Sequence, residues 1–215
     1  MSEALSFITH VSTPFIALLI KGGLVMIPLL ASSVLALAVV LERTLVWRRF
    51  RKAESGAQIL GLAADGQLAQ AIQVARTSRH PVARVLLAGL EHQYPAPGMA
   101  MEAATQAELH RLKRHLPLLD TIITLAPLLG LLGTITGMIS AFGIVSEAGL
   151  GQPNAITGGV AEALIATATG LCIAILALLP YNYFRGKVEA LTDHIEERAT
   201  RLEVLLKEAQ MQEEK

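Results

Sequence analysis

The chain has 215 residues, is 53% hydrophobic and only 4% aromatic, and is formally neutral, with 18 Lys and Arg set against 18 Asp and Glu. Neutrality, and the lack of a basic block interleaved with aromatics, argues against nucleic-acid binding. A single cysteine, Cys172, leaves no disulfide framework and no paired-thiol metal site. The apolar content is Leu, Ala, Ile and Val with 17 Gly, which suits closely packed membrane helices better than a soluble core.

Residues 1–21 form an N-terminal periplasmic or interfacial segment in which Phe7, Ile8, Val11 and Phe15 fit either a short surface helix or an unstructured start. Gly22–Leu41 then supplies 20 uncharged residues, enough to cross a hydrocarbon core of about 30 Å. The run is too long for a signal-peptide core and passes straight into Glu42-Arg43 without a small-residue cleavage site, so residues 22–47 read as an uncleaved first transmembrane helix.

Residues 48–115 make one sizeable polar segment. Leu68, Ile72 and Ala75 predict a helix over Gln67–Thr77, and Ser78 to Pro81 breaks it. Val82–His92 begins another helix, and Tyr94-Pro95-Ala96-Pro97-Gly98 is a turn cluster. Met99–His115 reads as a basic helix running into the second span, with a bend expected at Pro117. The segment is too short for an ordinary catalytic domain. Its His80, His92, His110 and His115 lack metal-ligand spacing and fit scattered surface or packing roles.

The second span, 116–145, contains the uncharged run Thr121–Val145. After a hairpin at 146–155, the third span, 156–184, is interrupted by one carboxylate, Glu162. A charge at mid-bilayer costs about 2.5–3.5 kcal/mol on insertion scales, so this Glu marks a functional position by default. Residues 185–215 form an amphipathic helix in which Val188, Leu191, Ile195, Leu202, Leu205 and Ala209 follow a 3–4 spacing, a self-packing or helix-packing face that points to oligomerisation.

Orientation follows from the basic residues. Arg43, Arg48, Arg49, Arg51 and Lys52 follow the first span, Arg111, Lys113 and Arg114 precede the second, and Arg185 and Lys187 follow the third. The 146–155 hairpin has neither Lys nor Arg, and only Lys21 precedes the first span. The positive-inside rule therefore predicts an all-α protein with three spans, N-terminus outside and C-terminus inside.

Inside the spans, Gly130, Gly133, Thr134, Gly137 and Ala141 form a small-residue stripe, matched by Gly159, Ala163, Ala166 and Gly170 on the third span. Such stripes let helices approach closely, and a threonine there is either a packing residue or a polar group in a pathway. At 1.5 Å per residue, Thr134 and Thr167 each lie roughly 16 Å from the hairpin end of their spans, and Glu162 lies about 9 Å from it. Antiparallel neighbours would bring both hydroxyls to one level beneath the carboxylate. Thr167 is nevertheless turned about 140° from Glu162, so lining one pathway with both needs several subunits around an axis.

At these residues the chain resembles the ExbB/TolQ/MotA family of inner-membrane proton-channel subunits, and is most like ExbB. The resemblance covers nearly the whole chain. It rests on Leu41-Glu42-Arg43, the Pro81 segment, Ala126–Thr134 with Pro127 and Gly137, Ala161–Gly170, and Tyr181-Asn182. One departure is Leu176, where such sequences usually carry a proline; here Pro180 comes a turn later. The resemblance implies a pentamer whose second and third spans surround a pore, with Thr134, Glu162 and Thr167 lining it. A dimer of an ExbD- or TolR-like single-span partner would sit inside and carry the proton on an acidic residue. The work would pass to a TonB- or TolA-like protein. No cofactor is implied.

The residues alone do not identify the ion. A Glu in lipid protonates because desolvation raises its pKa, whereas one in a water-lined pore stays ionised. A TolQ-type role in envelope integrity and a purely structural oligomeric scaffold stand as alternatives. A membrane enzyme is disfavoured, since there is no Ser/His/Asp set, phosphate loop or metal cluster.

Overall fold

The computed structural model describes residues 22–50, 55–148 and 153–213. Among them there is no strand; the protein is all-α. The helices are α1 (Met26–Phe50), α2 (Gly56–Ala64), α3 (Leu68–Thr77), α4 (Pro81–Glu91), α5 (Pro97–Lys113), α6 (Leu116–Ala148) and α7 (Pro153–Glu213). Three stretches, Met26–Arg48, Pro97–Gly143 and Thr157–Met211, are long and apolar enough to cross a membrane. The N-terminal surface helix and the tip of the 146–155 hairpin lie outside the described residues.

Local chemistry explains most helix ends. Gly66, at φ +72, turns the chain between α2 and α3, a conformation that costs glycine little. Pro81 and Pro97 occupy the first turns of α4 and α5, where a missing N–H leaves no bond unmade. The same logic corrects the bend expected at Pro117. That proline is the second residue of α6, so it opens a helix; the break lies just before it, at Arg114 and His115, the latter at φ +65. Helix α2 was not expected from the sequence.

The chain forms two compact units. One holds the described residues up to Val40 with Pro117–Tyr181. Its core joins Met26, Leu29, Ala36 and Val39 of α1 to Leu119, Ile122 and Ala126 of α6 and Ile173 and Ala177 of α7. Outside that core the unit is apolar as well: Val34, Leu128, Ile139, Leu164 and Leu176 are all largely exposed. A surface of this kind belongs against lipid or another protein chain. Buried Ser32 returns its hydroxyl to the Pro28 carbonyl at 2.8 Å.

The second unit holds Leu41–Leu116 and the chain from Asn182. Helix α4 buries Val82, Val85, Leu86 and Leu90, and Gly89 leaves room for the Met101 thioether of α5. Buried Glu108 is held by Arg84 at 3.1 Å and Arg111 at 2.9 Å. On α7, Val188, Leu191, Ile195, Leu202 and Leu206 are buried, whereas Leu205 is half-buried and Ala209 exposed. The chain itself covers this stripe: Gln210 Nε2 donates to the Gln93 carbonyl at 3.0 Å, and Glu203 packs against Gly98 of α5. It is a helix-packing face within one chain and gives no support to oligomerisation.

The end of α5 is capped by a side chain from α1. Arg43, 3% exposed, donates to the Arg111 and Leu112 carbonyls at 3.3 and 3.2 Å and to Glu42 at 2.7 Å. Glu42 in turn meets His115 Nδ1 at 2.6 Å. The last carbonyls of a helix have no intrahelical partner, and here a guanidinium supplies one.

Candidate functional site

Where α6 and α7 meet, small residues face one another. A Cβ on Gly133 would overlap the Ala166 methyl; one on Gly137 would stand 3.0 Å from Ala163, and one on Gly159 2.6 Å from Ala141. Gly130 approaches the Thr167 backbone to 3.0 Å on the same measure, and Gly170 abuts the Ala126 carbonyl. No larger side chain fits these positions without separating the helices.

This close approach brings Thr134 and Thr167 together. Their Oγ1 atoms lie 3.3 Å apart. Thr134 donates to the Leu131 carbonyl at 2.7 Å, with the Gly130 carbonyl at 3.4 Å, and Thr167 donates across the helix pair to the same Gly130 carbonyl at 3.0 Å. Both residues are half-buried. Two hydroxyls and one carbonyl thus form a polar island in an apolar unit, with each hydroxyl free to rotate between backbone and neighbour.

Glu162 is not part of that island. Its carboxylate packs against Gly23, which sits at φ +73 just before α1, and a Cβ on Gly23 would overlap it. Thr169, on the face shared with Glu162, returns its hydroxyl to the Ile165 carbonyl at 2.8 Å. Pro127 lies inside α6, where its missing N–H leaves the Ile123 carbonyl without its helical partner. Asn182 is exposed on α7.

Beside Thr134, an open groove of about 570 Å³ runs along α6, lined by Leu131, Ile135, Met138, Ile139 and Phe142. The same helix face carries a residue that sequence reasoning missed. Asp120 is exposed near the start of α6, with Thr124 one turn on. At about 100° per residue, Thr124 and Thr134 both fall within about 40° of it. The signal was available: a carboxylate immediately before an uncharged run of membrane length. Among the described residues no group of His, Cys, Asp and Glu could hold a metal ion.

Comparison with known proteins identifies the family. Residues 77–197 match the model of the MotA/TolQ/ExbB proton channel family. A Synechocystis protein named ExbB-like 1 is 39% identical over 198 residues, covering 88% of this chain and 78% of its own. A second from Synechocystis, ExbB-like 3, is 39% identical over 77% of this chain and 82% of its own. The Tol-Pal system protein TolQ of Haemophilus influenzae is also 39% identical, over only 43% of this chain and 40% of its own. With three helices able to cross a membrane and a family match over more than half its length, the chain belongs to the MotA/TolQ/ExbB proton channel family and is most like its ExbB members.

Proposed function

We propose that this protein is the pentameric inner-membrane stator subunit of a proton-driven machine, its N-terminus periplasmic and its C-terminus cytoplasmic. With an ExbD-like single-span partner it converts proton motive force into work on a TonB-like protein for outer-membrane transport. The observation that carries this reading is the Thr134–Thr167 pair on the shared Gly130 carbonyl, 3.3 Å apart and beside an apolar groove on α6. An apolar partner helix bearing one acidic residue fits such a surface, because the groove accepts its side chains and the two hydroxyls solvate the transferred proton. Glu162, seated apart, contributes field rather than contact, and near the hairpin end of its span it stands at the mouth of the pathway.

A TolQ-like role is the second reading, favoured by the match to a protein of that name over 43% of the chain. Expression in cells lacking their own ExbB or TolQ, together with an ExbD- or TolR-like partner, separates the two. The expected result is restored TonB-dependent uptake, abolished by Glu162→Ala or Thr134→Ala while native mass measurements still give five copies with the partner. Restored envelope integrity instead would assign the Tol role. Full activity of both alanine variants would leave a structural scaffold.

A further inference from the structure

At the basic end of the spans a cavity of about 300 Å³ opens among the last turns of α1, His80 before α4, and the Tyr183–Leu191 stretch of α7. Its wall concentrates residue types that are scarce in this chain. The sequence has one Trp, three Tyr and five Phe; Trp47, Phe50, Tyr183 and Phe184 all line this one cavity. They meet edge to face, Trp47 with Phe50 at 5.9 Å between centroids and Tyr183 with Phe184 at 5.5 Å. Arg48 and Lys187 also line it, and no carboxylate does. Lys187 Nζ lies 5.6 Å from the Tyr183 centroid, and among the described residues neither cation has an acidic partner. Trp47 Nε1 is buried there with no hydrogen-bond acceptor among the described residues. A buried donor left unmade is costly, and in a cavity lined by two cations and no carboxylate it calls for an anionic acceptor.

Position narrows the acceptor. The uncharged run of α1 ends at Leu41, and on α7 the aliphatic run ends at Pro180 with the first charge at Arg185, so Thr44 and Tyr183 stand about 4.5 Å beyond the ends of these runs, at headgroup level. Trp and Tyr concentrate at that level, and basic pockets between spans bind anionic headgroups there. We infer that this cavity seats the phosphate of an anionic glycerophospholipid, held by Arg48, Lys187 and the Trp47 indole N–H, with the rings enclosing the glycerol. The site is independent of the proton-pathway reading.

Trp47 is the sole tryptophan, so its emission reports on this cavity alone. The full-length protein in neutral detergent is titrated with dioctanoyl phosphatidylglycerol, dioctanoyl phosphatidylcholine, or inorganic phosphate. A saturable change in emission is expected with phosphatidylglycerol, and little with the other two at the same concentrations. Each membrane-surface cation contributes enough that Lys187→Gln should raise the half-saturating concentration about fivefold and Arg48→Gln/Lys187→Gln about 30-fold. Lys187→Arg should restore most of the response. Should the double variant not purify as a folded protein, the contrast between Lys187→Gln and Lys187→Arg decides alone. Equal responses to both lipids, a response to phosphate alone, no saturable response to any, or unchanged binding in the Gln variants would each overturn the assignment.

Discussion

Thr134 and Thr167 each have one hydroxyl proton, and each has a backbone carbonyl to receive it, at 2.7 and 3.0 Å. Packing alone would require nothing more. What goes beyond packing is that the two oxygens stand 3.3 Å apart on a shared carbonyl, so rotation about the Cβ–Oγ1 bond turns either hydroxyl toward the other. Thr→Val at either position keeps the branched shape and removes the hydroxyl; Thr→Ser keeps the hydroxyl and loses a methyl. In a pathway, Ser should retain more coupled transport than Val, whereas pure packing should give the reverse order. Uptake measured beside oligomer yield distinguishes them, and Val variants as active as the parent would remove both hydroxyls from the mechanism. Asp120, on the same α6 face, should behave as a proton-accepting end of the route: Asp120→Asn should lower coupled uptake while leaving insertion unchanged, and Asp120→Glu should restore part of it. Equal losses in Asn and Glu variants would make it a structural residue. The level of the two threonines was readable in advance because helical rise is fixed by the backbone. The seat of Glu162 was not, since it depends on Gly23, outside both later spans and distinguished only by a left-handed φ.

At the scale of helices, the sequence carried the long elements well and their partners poorly. Runs of membrane length announce themselves by composition, and the stripes at Gly130 to Ala141 and Gly159 to Gly170 were visible as spacing. Spacing does not say whether the facing helix belongs to the same chain. Here it does for Gly133, whose added Cβ would strike the Ala166 methyl of α7. Gly133→Leu should therefore destabilise the α6–α7 pair itself, by about 1–3 kcal/mol as overpacked sites generally do. Thermal unfolding of the purified protein in detergent tests this; an unchanged midpoint with a weakened oligomer would move the contact to a subunit boundary. The C-terminal stripe teaches the same lesson in reverse, since its apolar positions are buried within the chain, where Glu203 packs against Gly98 of α5; helix α2, with nine residues and no side-chain cap, carried no signal strong enough to foresee. Arg43 offers a sharper test at this scale. Arg43→Gln removes the guanidinium from the Arg111 and Leu112 carbonyls and from Glu42 together. Stability should fall by about 1–3 kcal/mol, the cost of leaving buried polar groups unmade. Amide exchange should rise at the α5 end and the 114–115 break before anywhere else in that unit; uniform exchange would show that Arg43 does not hold this joint.

For the whole chain, the proton pathway has meaning only if the two ends of the spans face different compartments. The distribution of cations is what decides this. Arg43, Arg48, Arg49, Arg111, Lys113, Arg114, Arg185 and Lys187 all flank one end of the three spans, and the connection between α6 and α7 has none. Basic residues close to short spans resist translocation, which is the ground for the proposed orientation with that end cytoplasmic. In the proposed orientation α1 and α7 would run inward and α6 outward, and the Thr134–Thr167 level would lie between two compartments of different pH. A cytoplasm-active reporter fused after Lys215 should be active, and a periplasm-active one inserted near Gly151 should be active as well. Exchanging the two reporters should silence both. The cations also predict how the arrangement fails. Replacing Arg48, Arg49, Arg51 and Lys52 by Gln, with four Lys added to the hairpin, should produce a mixed population in which some C-terminal reporters lie outside. A periplasmic signal from the unmodified C-terminus would reverse the direction of every helix, and Glu162 would then stand at the proton exit.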